Sequence, residues 1–392
     1  MNFNGAVVVA GAGAAGMAAA IAAARAGGNV VLLEKDTACG GTMTNSLIHT
    51  IGGLYDGDGD FINEGLPVEL AERLLDADSS THQRKIGRTW TLSVNPAVYQ
   101  QITQAWVSEE KNICFLPDTV INHVSVENNT ITSLKLSVSG ELCGVELPLA
   151  VIDTTGCADV IRSIDRNLAM EGDPPPLAAL IFQLNNMPSE MMAFPGNVAL
   201  LRKIRRAAAE GKIPEQCAHA WIDKGVTGNE AYVKLSVRLD TNWRDPSVQA
   251  ALVKKTRIAR DALLDYITSL PGLGDVTPGE TGALGIRDGG RFYGDYQLSV
   301  DDVRSLEKFK DCACKCCWPI EYWDSDTGVE LEYLESGGYY EIPLRALRVR
   351  GYTNLWGAGK CLSADRLAQA SARVIGSCWA MGQSVGYAVV GQ

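Results

Sequence analysis

The sequence predicts an α/β protein in which a parallel sheet and a β-meander are interrupted in mid-chain by an α+β insertion. Three stretches carry that expectation. Residues 7–35, VVVAGAGAAGMAAAIAAARAGGNVVLLEK, read as strand, glycine turn, alanine-rich helix, strand and acid. Residues 119–159 read as three alternating strands, an apolar return strand and a Thr155-Gly156 turn. The C-terminal NLWGAGKCLSADRLAQASARVIGSCWAMGQSVGYAVVG reads as a strand, a second glycine turn and an apolar helix.

The first stretch has two rivals, a membrane span and a secretory leader. A span wants about 20 apolar residues without charge, and a leader wants a basic start. Arg25 and three glycines punctuate the run, and MNFNG carries no base, so both rivals fail. The nucleotide reading assigns each residue a task. AVVVA is a short apolar run of the kind that a buried parallel strand shows. Gly11 permits a tight turn, Gly13 lets the backbone approach a pyrophosphate, and Gly16 lets helix and strand pack closely. The amides of Ala14 and Ala15 then lie at the positive end of the helix dipole. Glu34 closes the second strand, where a carboxylate accepts ribose hydroxyls and repels a 2′-phosphate. A G-x-G-x-x-G motif is weak alone and strong in this strand–helix–strand setting.

At these residues the chain resembles the FAD-dependent oxidoreductases with a glutathione-reductase-type FAD domain, in a fumarate-reductase-like branch. The resemblance implies a Rossmann-like FAD-binding domain (parallel sheet plus β-meander) over residues 1–164 and 296–392, with an inserted α+β substrate or cap domain at 165–295. It also implies FAD as cofactor, held by Gly40, Gly41 and Thr42 after Glu34 and Lys35, by Val120 at the adenine, and by Gly156 and Asp159 at the return turn. Gly359 would turn the chain into a helix starting near Ser371, and the amides of Val374 and Ile375 would face the isoalloxazine ring. A helix start there stabilises negative charge on a reduced flavin. Gly376, Ser377, Gly382 and Gly386 read equally as close helix packing.

Some family features are absent from the sequence. None of PGLGDV, GALGIRDGG or ESGGYY joins an apolar strand to an apolar helix, so no second dinucleotide domain for NAD(P)H is expected. Cys39 stands alone where disulfide reductases carry a cysteine pair. Electrons must then come from the substrate, from a transiently bound nicotinamide or from a separate flavin reductase.

The insertion predicts strands at 177–185 and 231–239, a helix at 199–210 and a long helix at 247–270, with GDPPP (172–176) and LPGLGDVTPGE as connections. Arg287 and Arg291, in GIRDGGRFYG, suit a substrate carboxylate, on which a guanidinium forks; an ion-pair network with Asp288 and Asp295 is the equal alternative. His49 suits a proton relay or a flavin attachment point, against a plain buried histidine. Tyr339 and Tyr340 divide between pocket floor and core. Four cysteines in CACKCCW are too crowded for one tetrahedral metal and read as buried free thiols, so no metal is expected.

Composition narrows the partners. At a formal charge of −11, with RKIRR the densest basic run, the chain offers nucleic acid no phosphate-tracking surface. Eleven cysteines without regular spacing, and no targeting segment, point to a reducing cytoplasm. The expected function is FAD-dependent oxidation of a small organic acid or amino-acid-like molecule by hydride transfer, with oxygen or another acceptor reoxidising the flavin. The alternatives are a flavin monooxygenase, or a modifier of peptide or protein side chains, working with a separate reductase. A third is a non-catalytic FAD-bearing binding protein.

Overall fold

The computed structural model describes residues 3–171, 175–240 and 242–391. Its centre is an all-parallel five-stranded sheet in the spatial order Leu355–Gly357, Ala150–Asp153, Val7–Ala10, Val30–Leu33, Ile113–Leu116. The strands are apolar throughout because both faces are covered. Val7, Val9, Leu32 and Ile152 point to the helices Ala14–Arg25 and Ile375–Val390, while Val8, Val31 and Val151 point to the meander. The meander runs Thr119–Glu127, Thr130–Val138 and Glu141–Glu146, and Asn128 and Asn129, at φ 49 and 61, make its first turn. Two positive φ angles in succession suit Asn and match the right-handed twist of a hairpin.

The first and last helices touch along their backbones. A Cβ on Gly382 would stand 2.1 Å from the Ala15 carbonyl oxygen, and one on Gly386 would stand 2.4 Å from that of Ala19. No side chain larger than hydrogen fits there, which accounts for the glycine spacing on one helix and the alanines on the other.

The insertion forms a four-stranded antiparallel sheet ordered Trp221–Lys224, Glu230–Val237, Ala178–Asn185, Thr277–Thr281. Leu180, Phe182, Leu184, Val233 and Leu235 face its own core, closed by the helices Gly196–Ala209 and Pro246–Thr268. Strand periodicity sends the alternate residues Tyr232 and Lys234, with their cross-strand neighbours Asp223 and Ile181, to the opposite face. Ile181 and Tyr232 there pack on Leu47 of the other domain. Of the GDPPP connection, residues 172–174 lie outside the described residues.

One expected boundary changes. The last helix starts at Ile375 rather than Ser371, and a separate short helix, Arg366–Ala372, precedes it. Val374 between them is extended (φ −69, ψ 155), and the break lets Gly376 press on Gly53, whose carbonyl carbon a Cβ would meet at 2.5 Å. A three-stranded sheet of Thr50–Gly52, Thr89–Ser93 and His82–Ile86, which the sequence reading did not foresee, supports this corner. Among the described residues, no helix is long and apolar enough to cross a membrane.

Candidate flavin site and the seam beneath the cap

At the C-terminal edge of the sheet, the predicted glycines converge. Gly11 takes φ +104, and a Cβ there would stand 2.8 Å from the Thr154 carbonyl oxygen; a Cβ on Gly16 would reach 1.8 Å from that of Gly11. Gly41, at φ +57, lies so close to Gly13 that a Cβ would meet the Gly13 Cα at 2.7 Å. The two loops, Gly11–Gly16 and Gly40–Thr42, therefore form one cradle of bare backbone. Glu34 is almost buried beside it; its carboxylate accepts from the N–H of Ala12 at 2.7 Å and of Asp36 at 3.1 Å. Burial raises its affinity for a proton, and the two amides oppose that. Lys35 is exposed next to it, and Val120, half exposed, opens the meander beside Thr119, whose N–H donates to the Glu34 carbonyl.

Asn95, Asp245 and Asp365 cap the helices beginning at Pro96, Pro246 and Arg366, whereas those at Ala14, Thr42 and Ile375 begin with no capping side chain, as do those at Leu66, Asp159 and Gly196 away from the cradle. First-turn amides without a protein partner are suited to anionic oxygen atoms. Gly359, at φ +87, brings the C-terminal loop onto Ala15, where a Cβ would meet the Ala15 side chain at 2.9 Å. Gly53 fits against Val374, and the Trp318 ring lies on Gly52, 2.5 Å from where its Cβ would be. The loops at the first and last helices thus meet, an arrangement that suits a dinucleotide stretched between them.

Gly156 turns at φ +76, and Asp159 sits at the surface, 3.7 Å from Arg244, its N–H donating to Thr155 Oγ1. The carboxylate that organises this turn is Asp153, which the sequence reading missed. It is fully buried and accepts from the N–H groups of Thr155, Val160 and Ile161 and from the Thr155 hydroxyl. Burial pushes its pKa up to about 6.

The residues expected to do chemistry separate. His49 lies at the seam, 7% exposed, stacked on Tyr232 at 4.0 Å between centroids, with Nε2 3.0 Å from Asp223 Oδ2. Arg84 holds the same carboxylate at 2.6 Å. Burial outweighs Asp223 and keeps His49 below the usual imidazole range; Asp223, although burial raises it, is held down at about 2 by His49 and Arg84. Arg287 is half-buried, its guanidinium 3.9 Å over the Trp323 ring and bonded to the Leu177 carbonyl.

Two expectations are corrected. Arg291 is 5% exposed and committed to Asp288 at 3.1 Å and the Ala364 carbonyl at 2.6 Å, because a carboxylate three residues away captured it. Tyr340 has no exposed surface, and its hydroxyl bonds Ser371 at 2.8 Å, which puts it behind the site rather than in its floor. Tyr339 lies under the Lys308 ammonium. All eleven cysteines are free; Cys314 and Cys316 are buried while Cys312 is exposed. Cys316 donates to Ser377 at 3.3 Å.

The cradle of bare backbone suits a dinucleotide, and comparison with known proteins decides the family. The chain belongs to the FAD dependent oxidoreductase family. It matches that family over residues 6–391. FAD is thus its cofactor and oxidoreduction its chemistry. Similar solved structures include a geranylgeranyl bacteriochlorophyll reductase-like protein of Thermoplasma acidophilum, at 12% identity and TM-score 0.54, covering 100% of this chain and 79% of that one. Others are p-nitrophenol 4-monooxygenase of Pseudomonas putida DLL-E4 (11%, TM-score 0.40, 76% and 71% covered) and a triple mutant of the flavin-dependent brominase Bmp2 (10%, 0.48, 98% and 81%). At this identity, the first of these supports the fold. None of the curated proteins matches the chain.

Proposed function

We propose that this oxidoreductase oxidises a small organic molecule bound at the seam between the cap sheet and the start of the helix Ile375–Val390. The observation that carries the reading is the His49–Asp223 pair, which joins the FAD-binding domain to the cap at that seam. With Nε2 donating to Asp223, the neutral ring keeps its lone pair on Nδ1, and no described residue hydrogen-bonds that atom. A neutral imidazole oriented by a carboxylate is a proton acceptor. Arg84 keeps Asp223 ionised and so keeps the tautomer. Tyr232, stacked on the ring, restricts its rotation and excludes water.

Gly11, Gly13, Ala14, Ala15, Gly16, Gly40, Gly41 and Thr42 would hold the diphosphate through backbone, Glu34 the ribose, Val120 the adenine, and Gly359, Val374 and Ile375 the ring end. When bound, FAD would supply the acceptor for the hydride that a substrate C–H bond loses as the adjoining C–O or C–N bond becomes double, and oxygen or another acceptor would then reoxidise it. His49 takes the proton released in the same oxidation. Arg287 faces the substrate; Arg291, through Asp288, positions the segment that carries it.

The test is anaerobic mixing of the yellow protein with small organic acids and amino acids. Loss of flavin absorbance on mixing, slowed by about 10² or more in His49→Asn, supports the reading. It is overturned if no candidate donor bleaches the flavin without oxygen while an added reductase does so and the product gains an oxygen atom. That outcome marks a monooxygenase.

A further inference from the structure

Resting on that reading of the seam, we infer that the substrate is a small dianion, whose two negative charges are received by Lys234, Arg287 and Arg373. Three separate elements deliver these cations. Lys234 lies on the cap strand Glu230–Val237, on the face turned away from the cap's own core. Arg287 lies in the segment returning from the cap, and Arg373 in the two-residue break before the last helix. They gather around Trp323 and Glu321. Arg287 is 3.9 Å and Lys234 5.2 Å from the Trp323 ring centre, and Trp323 lines one narrow recess with Arg287, Arg366, Arg373, Asp288 and Glu321.

The protein does not neutralise this cluster. Glu321 is the carboxylate nearest to all three, yet its oxygens accept from the indole N–H of Trp318 at 3.0 Å and of Trp323 at 2.7 Å, and no cation reaches it within salt-bridge distance among the described residues. Arg373 donates to the Glu321 backbone carbonyl at 3.2 Å and Arg287 to that of Leu177. Lys234 has no hydrogen bond or ion pair among the described residues. The other carboxylates in range, Asp223 and Asp288, are committed to Arg84 and Arg291.

With Asp288 taken by Arg291, and Arg366 set beside Asp324, Lys234, Arg287 and Arg373 have Glu321 as their one remaining carboxylate, and two positive charges stay uncompensated in a half-buried space of a chain whose formal charge is −11. Removing a charge from water without a partner is unfavourable. A fold that keeps two such charges at its seam gains if a ligand compensates them. Burial first, then mutual repulsion, lowers Lys234 to about 8 and Arg287 to about 9, as expected when cations crowd one another; both stay charged at neutral pH. The spare donors of two planar guanidinium forks suit carboxylate or phosphoryl oxygens. A dicarboxylate and a phosphate monoester share this chemistry.

The test titrates the FAD-loaded protein with malonate, inorganic phosphate and acetate at constant ionic strength, by calorimetry and by the visible difference spectrum of the flavin. A dianion is expected to bind at least about 10-fold more tightly than acetate, as one additional charge-assisted contact gives. Malonate above phosphate identifies carboxylates, and the reverse identifies phosphoryl groups. Lys234→Met, checked for FAD content and circular dichroism, should weaken the dianion about 10-fold and leave acetate little changed. Acetate binding as well as either dianion to the wild-type protein, or no binding by any of the three, overturns the inference, as does a folded, yellow Lys234→Met that keeps full affinity. A wild-type protein that cannot retain FAD overturns the function proposed for the seam instead.

Discussion

Glu34→Gln tests the cofactor cradle most sharply, because the substitution keeps size and changes only acceptors. In the native carboxylate each oxygen takes one backbone N–H, from Ala12 and from Asp36. An amide offers one acceptor and one NH2 group, so one buried N–H must face another donor. Leaving a buried donor unsatisfied costs about 1–3 kcal/mol. At about 2 cal/mol/K per residue, unfolding a chain of this length has an entropy near 0.8 kcal/mol/K, so the apo-protein should melt about 1–4 °C lower. The ribose hydroxyls lose a charged acceptor, about 1.5–3 kcal/mol, so FAD should bind roughly 10- to 100-fold more weakly. Calorimetry of the apo-protein and fluorescence titration with FAD read the two effects separately. The reasoning fails if the variant melts with wild type and binds FAD with unchanged affinity.

Three other outcomes follow from the geometry. The anaerobic reduction rate should rise with pH through the His49 pKa, below 6.5, and fall as Lys234 loses its proton near about 8; Lys234→Met should abolish the upper limb, and a flat profile across this range would contradict both roles. Asp223→Ala strands Arg84 and His49 and should cost roughly 2–4 kcal/mol, less than a fully enclosed pair because Asp223 keeps some solvent contact. Since Asp223 is held at about 2, below its unfolded value, this contribution is present above pH 4 and lost as pH falls towards 2, which denaturant melts of both proteins would register. Gly382→Val drives a side chain into the Ala15 carbonyl, where backbone cannot yield, and should cost about 3 kcal/mol or more and abolish FAD retention; a yellow variant melting with wild type would refute the packing argument.

Local features were legible because their causes are local. Gly11, Gly13, Gly16, Glu34 and the Asn128-Asn129 turn declare backbone conformations that neighbouring residues impose. The seam was not legible in the same way. Asp223, Tyr232, Trp323 and Arg373 come from separate elements, and no spacing in sequence brings them to His49 or Arg287. Arg291 was left between substrate and ion pair because a two-arginine pattern cannot tell which guanidinium a nearby Asp288 will capture. One signal was available: in AYVKLSV the apolar residues alternate with Tyr232, Lys234 and Ser236, and a lysine on a strand's second face beneath a cap asks for a partner.

The contact of Gly382 and Gly386 with the first helix also bears on the order of folding. The helices Ala14–Arg25 and Ile375–Val390 are separated by most of the sequence, yet they meet backbone to backbone. Closing so long a loop costs entropy before the contact rewards it, so this pairing should form late and set the pace at which the glycine cradle becomes rigid.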